Sequence, residues 1–181
     1  MKNIFTLFII LSLSIVSCKS GDQKNNDAEA VDPSAVVGVQ YLDQYCDTTD
    51  FKLGSDQYRV ILSCHSDTSL THVLDLLEHE YYDNCADVSI TQNGKEVCRK
   101  TFTKSDFRSY MSAQDMKSCA LLGMSFEEEN TTVQAFQFCC KFGVPGPEDG
   151  PSFIVKISNS GAAIDVKVDD RQIDMGEENL I

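Results

Sequence analysis

A cysteine near the start of the chain stands in a pattern that could carry covalent chemistry. Cys18 follows Ile15-Val16-Ser17, and ahead of these lie Lys2 and an apolar run over residues 4–16. A charged start, a short apolar run and small residues before a cut are typical of a secretory signal peptide, and the run is shorter than the ~20 residues of a membrane span. We interpret the pattern as a lipobox, in which Cys18 is acylated and residues 1–17 are removed as a signal peptide. The alternative is an ordinary signal peptide that happens to contain a cysteine.

Cys64 and His65 are the residues that suggest nucleophilic catalysis, because an imidazole beside a thiol can activate it. They lie in the run 58–65, which alternates apolar and polar residues and is rich in β-formers. Neighbours on a strand point to opposite faces, so these two side chains cannot hydrogen-bond to each other. The sequence therefore predicts a core cysteine beside an exposed histidine. It contains neither a Gly-x-Ser-x-Gly elbow nor a phosphate-binding glycine loop.

His72, Asp75 and His79 are the candidates for a metal site. Leucines over 70–81 have helical spacing, and in a helix these three polar residues share the opposite face. Two imidazoles and a carboxylate could hold zinc. The two histidines would, however, lie about 10 Å apart along the helix, which favours a solvated polar face. We therefore predict no metal and no cofactor.

Two acidic clusters and one threonine complete the candidates. Residues 127–130 and 148–150 lack the alternating ligands of a calcium loop, and we predict that both are hairpin tips. Asp47-Thr48-Thr49 resembles the short Bacteroidetes O-glycosylation sequon, with Thr48 as the acceptor.

Charge and cysteine content restrict the partners and the compartment. The formal net charge of −13 argues against nucleic acid as a partner. Seven cysteines remain after Cys18, an odd number that leaves at least one thiol unpaired in a monomer. Both disulfide bonds and plain core packing are open to these cysteines: Cys46, Cys64, Cys85, Cys98, Cys119, Cys139 and Cys140.

The segments that must position these residues divide the chain into three parts. After the signal peptide, residues 18–34 form the lipidated cysteine and a polar tether that cannot bury enough surface to fold. Residues 35–181 are predicted to form a single β-rich domain whose acidic end, from residue 169, frays.

A hairpin is the clearest element of this domain. Asn93-Gly94 separates the alternating runs 86–92 and 95–102, which is typical of a type I′ turn. A plain two-residue loop would place Ile90 opposite Val97 and Asp87 opposite Lys100. In that register Cys85 and Cys98 are too far apart for a disulfide.

Further alternating runs predict the rest of a mainly β fold. Phe136, Phe138, Cys140 and Phe142 share one face by period two. In the run 162–168 we expect the apolar side chains to point inward, with Asp165 and Lys167 outward. Short turns between these runs predict an antiparallel β-sandwich or a curved meander sheet with one or two short helices, and an α+β arrangement is the alternative.

The order of these pieces resembles a family of uncharacterised Bacteroidetes lipoproteins that carry a domain of unknown function. The resemblance rests on the lipobox, Tyr82-Asp83-Asn84, Phe102-Thr103-Lys104-Ser105-Asp106-Phe107 and the closing hairpin at Ser158 to Gly161, and it covers Tyr58 to Asp170. It brings no activity, cofactor or catalytic residue.

These observations lead to two expectations of function. The first is a lipid-anchored envelope lipoprotein that binds a protein or a glycan and is not an enzyme. Because Lys19 is not the aspartate that retains lipoproteins in inner membranes, an outer-membrane location is expected, on either its periplasmic or its cell-surface face. The alternative is a hydrolase or metal-dependent enzyme whose site the motifs do not show.

Overall fold

The computed structural model describes residues 38–161 and 164–171. Ten strands follow one another in chain order: β1 (Tyr45–Leu53), β2 (Asp56–Ser66), β3 (Val73–Leu74), β4 (Glu80–Tyr81), β5 (Asn84–Gln92), β6 (Lys95–Phe102), β7 (Ala120–Phe126), β8 (Ala135–Gly143), β9 (Ser152–Ser158) and β10 (Ile164–Val168). One α-helix, α1 (Ala113–Ser118), and 3₁₀ turns at Lys104–Phe107 and Glu128–Asn130 complete the described elements. None of the described helices is long and apolar enough to cross a membrane.

Eight of the strands form two antiparallel sheets that enclose the core. The first sheet has the order β1-β2-β5-β6 and the second the order β10-β9-β8-β7. Strands β3 and β4 pair with each other, and Tyr81 of β4 also forms a parallel bridge with Gln40. Rings from the two sheets meet directly, as Phe51 does with Phe126 at 5.3 Å and Tyr58 with Phe136 at 5.4 Å between centroids. The predicted β-sandwich fold class is confirmed.

The apolar face predicted for β8 is confirmed, since Phe136, Phe138, Cys140 and Phe142 are all fully buried. Each such ring contributes about 1.5–3 kcal/mol by leaving water. The predicted hairpin tips are also confirmed, because residues 127–130 connect β7 to β8 and residues 148–150 lie in the loop before β9.

The turn of the predicted hairpin is confirmed, but its register is wrong by one residue. Asn93 and Gly94 both have positive φ, as a type I′ turn requires. Val97 is an extra residue in a β-bulge, so that Ile90 lies opposite Cys98 and Asp87 lies opposite Thr101. The bulge has a clear physical reason: it turns Cys98 and Phe102 toward the core, whereas the plain register would have turned Arg99 inward.

The helix predicted over 70–81 is wrong. The segment consists of turns and the short strands β3 and β4. Side-chain carboxylates accept backbone hydrogen bonds here, from Ser69 to Asp67 and from Leu77 to Asp75, and these local bonds replace helical ones.

Three further features differ from the sequence prediction. Strand β1 and helix α1 were not predicted, although Ser112 caps α1 by accepting a hydrogen bond from the Asp115 amide. On β10 only Val166 packs against the core, while Ile164 and Val168 are exposed. Strand β10 is an outer strand of the second sheet, where period two alone does not decide burial.

The seven described cysteines are all free. Five are buried: Cys64, Cys85, Cys98, Cys119 and Cys140. All of these except Cys85, which pairs with His65 on the outer face of the first sheet, serve as small core residues. Core packing, rather than a disulfide framework, is therefore the role that the structure gives them.

Candidate functional site

The excursion between β2 and β5 carries the most exposed large apolar side chains of the described residues. We call residues 74–79 the leucine turn; they join β3 to β4. Leu76 is 74% exposed, Leu77 is 76% exposed and Leu74 is 47% exposed. Three exposed leucines within four positions form an apolar patch of the kind that marks an interaction surface, whereas scattered exposed leucines would need no explanation.

Asp75 holds the leucine turn in one conformation. One carboxylate oxygen accepts hydrogen bonds from the amides of Leu77 at 2.7 Å and His79 at 2.9 Å, and the other meets the His79 imidazole at 2.9 Å. The Asp75 amide donates to the His79 carbonyl at 3.1 Å. Burial would raise the pKa of Asp75, but the hydrogen bonds from His79 and Leu77 outweigh it and lower the pKa.

Glu78 adds backbone strain to the same turn. Its φ of 64° lies in the left-handed region, which costs a residue with a β-carbon roughly 1–2 kcal/mol. Buried Val73 and a hydrogen bond from the Gln40 amide to the Glu80 carbonyl fix the two ends of the turn to the domain. Asp75 and these end contacts thus hold the turn in one conformation, and the strained Glu78 directly follows the exposed Leu76 and Leu77, as in a preorganised contact.

A groove of about 380 Å³ lies beside the leucine turn. Leu74 and Met116 line it together with the cationic side chains of Lys104, Arg108 and Lys117. Arg108 and Lys117 are exposed, and neither has an ion-pair partner within the described part of the chain. In a chain of net charge −13, the groove is a local cationic region next to an apolar patch.

Lys104 is held by the structure and is not free to bind. Its Nζ meets Asp83 Oδ2 at 3.0 Å and donates to the Cys119 carbonyl at 2.7 Å. Asp83 is 2% exposed and also accepts the amide of Leu121 at 2.8 Å and that of Asn84 at 2.9 Å. The two segments Tyr82-Asp83-Asn84 and Phe102–Phe107 therefore meet in one buried ion pair that ties the first sheet to β7.

The structure brings only two of the three metal candidates, Asp75 and His79, together. His79 pairs with Asp75, whereas His72 meets Glu80 at 3.2 Å and sets its ring edge-on to Tyr82. In the described ranges, no group of three metal-ligating side chains is close enough to hold an ion. The shared helical face from which the candidates were derived does not exist.

Cys64 and His65 point to opposite faces, as predicted. Cys64 is fully buried in the sandwich, while His65 lies on the outer face against Cys85, its partner on β5. His65 Nε2 lies 3.0 Å from Asp87 Oδ2, and Cys85 Sγ lies 3.6 Å from Nε2 and 3.7 Å from Nδ1. A thiol, an imidazole and a carboxylate are thus adjacent, an arrangement that the sequence did not indicate because its local patterns do not pair β2 with β5.

Geometry and charge argue against a thiolate nucleophile at this site. The sulfur is almost equally far from both ring nitrogens, which places it over the ring rather than on a nitrogen lone pair. Burial, with the negative charges of nearby Asp87 and Asp67, raises the pKa of Cys85 to about 11. The hydrogen bond to Asp87 raises the pKa of His65. A reactive cysteine needs a lowered thiol pKa, whereas the thiol pKa of Cys85 is raised.

A second cleft, of about 490 Å³, is lined by tyrosines. Tyr41, which is exposed, lines it with Tyr81, Gly123 and Lys141. The Tyr45 hydroxyl accepts a hydrogen bond from the Met124 amide at 2.6 Å and donates one to the Met124 carbonyl at 2.5 Å. Burial raises the pKa of Tyr45 to about 12. Aromatic walls with polar edges suit a sugar or a peptide.

Of the two predicted modification sites, Cys18 and Thr48, the structure describes only Thr48. Cys18 lies outside the described residues. Thr48 is exposed on β1, an outer strand of the first sheet, opposite Ile61. Both modifications stay predictions.

Fold and site together define an antiparallel β-sandwich that presents a preorganised apolar turn. A family model for a domain of unknown function, DUF4738, matches residues 24–163. The chain belongs to this family. A comparison with curated proteins finds no match.

Proposed function

We propose that this chain is a lipid-anchored lipoprotein of the bacterial outer membrane that binds a protein partner through the leucine turn and catalyses no reaction. The single observation that carries the binding proposal is the exposure of three leucines on a turn that Asp75 holds rigid. Anchoring is supported by the lipobox at Cys18 and the polar tether 19–34. Both the periplasmic and the cell-surface face of the membrane are compatible with it.

The energetics favour the leucine turn as an anchor for a partner. Burying a leucine side chain contributes about 1.5–3 kcal/mol, and Leu76 and Leu77 are both available. Since the turn is already ordered, binding does not have to fix a flexible loop. Arg108 and Lys117 beside it favour a partner that carries carboxylates next to its apolar contact.

The binding proposal is tested with native mass spectrometry of the protein taken from its own membranes. The variant with Leu76→Ser and Leu77→Ser should lose the retained partner. Val133→Ser, which also removes an exposed apolar side chain, is the matched control and should keep it. The proposal is wrong if the leucine variant retains the partner as well as the control does.

A glycan is the second candidate ligand, and the tyrosine cleft is the observation that favours it. A glycan site there predicts that Tyr41→Ala abolishes binding to a glycan array while the leucine variant binds normally. The protein-binding proposal predicts the reverse dependence for the retained partner.

A hydrolase is the alternative function, favoured only by the adjacent side chains of Cys85, His65 and Asp87. It is tested by alkylation with iodoacetamide at neutral pH, with exposed Cys46 as the internal standard. A non-enzymatic protein labels at Cys46 and leaves Cys85 unmodified. Preferential labelling of Cys85 would favour the hydrolase.

Mass measurement on the same material tests both predicted modifications. Cys18→Ala should be unacylated and either unprocessed or released, and normal acylation of this variant would contradict the anchor. If Thr48 is glycosylated, Thr48→Ala should lose the mass of one glycan.

A further inference from the structure

Strand β10 forms an outer edge of the second sheet, and its backbone polarity can be worked out from its neighbour. The Asp169 amide donates to the Ser152 carbonyl at 2.8 Å, in the same register as the β9–β10 pairing. Because hydrogen-bonded positions alternate along an antiparallel pair, residues 165 and 167 also bond to β9. The amides and carbonyls of Ile164, Val166 and Val168 therefore point away from the sheet.

The other three outer strands of the two sheets carry features that discourage pairing with another chain. A β-bulge at Val97 interrupts β6, and a second at Leu122 interrupts β7. Strand β1 carries Asp47 and Asp50, which would repel a second copy. Strand β10 has no bulge and no proline along its described length, and it exposes Ile164 and Val168. Such an edge invites another strand.

The sequence of β10 is complementary to itself in the antiparallel direction. Pairing around Val166 sets Ile164 opposite Val168 of a second copy and Asp165 opposite Lys167 of that copy. The apolar residues are the ones with outward amides and carbonyls, so they would form the hydrogen-bonded pairs. The charged residues would form the closer, non-hydrogen-bonded pairs, in which cross-strand side chains interact most strongly.

We propose that β10 pairs with β10 of a second copy of this chain around Val166, which joins the two second sheets into one continuous sheet. Val166 already packs against the core. Ile164 and Val168 lie on the same face of β10 and are exposed, and the added strand would cover them. Within one chain Asp165 and Lys167 are 3.7 Å apart and mostly exposed, so this weak pair competes little with pairing between copies. The inference is independent of the leucine turn.

The test uses charge exchange at these two positions in the full chain carrying Cys18→Ala. Sedimentation is measured at concentrations up to about 100 µM, in the range of weak specific complexes. Asp165→Lys places lysine opposite lysine at both symmetric positions, and Lys167→Asp places aspartate opposite aspartate. Each single variant should weaken self-association about tenfold or more.

Two restorations make the test specific. The double exchange, Asp165→Lys with Lys167→Asp, recovers opposite charges and should dimerise like the parent chain. An equimolar mixture of the two single variants should form a mixed dimer, because every charge again meets its opposite. Circular dichroism confirms that each variant is folded.

Three results would overturn the proposal. The parent chain could be monomeric at every concentration measured. Coverage of β10 by another part of the chain would give this result and would equally rule out the dimer. The single variants could dimerise as strongly as the parent, which would place the interface elsewhere. The mixture and the double exchange could both fail to restore the dimer in folded protein, which would refute the register around Val166.

Discussion

Replacing Lys104 by methionine should destabilise the domain strongly. The change leaves the Asp83 carboxylate, whose side chain is 3% exposed, with two backbone donors and no counter-charge. Removing one partner of a buried ion pair costs about 3–5 kcal/mol, and Lys104 retains slight exposure, so we expect about 3 kcal/mol. That is a large fraction of the roughly 5–15 kcal/mol that holds a domain folded.

The assay is urea unfolding of the full chain followed by circular dichroism. Lys100→Met is the matched control, because Lys100 pairs with Asp106 at 3.3 Å near the surface and should cost less than about 1 kcal/mol. Combining Lys104→Met with Asp83→Asn removes the unpaired charge and should recover about 1–2 kcal/mol. The reasoning is refuted if Lys104→Met costs no more than the control, or if the double variant is merely additive.

Three further predictions concern local geometry. Asp75→Ala should speed amide hydrogen exchange in the leucine turn without moving the urea midpoint, and unchanged exchange would show that the carboxylate does not hold the turn. Gly161→Ala should cost about 2 kcal/mol or more, because φ is +70° and a Cβ would clash with the Val97 carbonyl oxygen. Gly54→Ala, at φ +64° in open space, should cost only about 1 kcal/mol, and equal losses would contradict the clash. Hydrogen bonds from Arg171 lower the pKa of Asp169 to about 2, so their stabilisation is complete above pH ~4 and is lost as pH falls toward 2. Arg171→Gln should therefore be less stable than the parent above pH ~4 and equal to it near pH 2; a gap that does not depend on pH would contradict this linkage.

The sandwich could be predicted from the sequence because most of its strands alternate apolar and polar residues, a pattern that depends only on neighbouring residues. Alternation identified β2, β5, β6, β8 and β10, and Asn93-Gly94 located a hairpin, since such turns need only local backbone preferences. The bulge at Val97 escaped prediction because it depends on which side chains the opposite sheet must receive.

The candidate site was harder to predict than the fold. Leucines at helical spacing indicated a buried helix face over 70–81, yet none of the described residues covers Leu76 and Leu77. The signal that could have been used is Asp75 placed two and four residues before Leu77 and His79, a spacing at which a carboxylate can accept the hydrogen bonds of a turn. The contact of His65 with Cys85 and Asp87 depends on the pairing of β2 with β5, which local patterns do not specify.

Asp169 illustrates the same limit at the end of the chain. An acidic run predicts fraying from this residue, yet its carboxylate is buried and bonded to Arg171. Arg171 also reaches Glu127, beyond β7, at 2.8 Å. A contact between residues so distant in sequence cannot be read from composition.

We propose above all that the leucine turn is the surface through which this protein contacts a protein partner. The most direct measurement places a photo-crosslinking amino acid at position 76 and, in a second strain, at the exposed Glu129 in the β7–β8 connection. Irradiation of intact cells should give one defined crosslinked species from position 76 and none from position 129. No crosslink from position 76, or the same product from both positions, would contradict the claim.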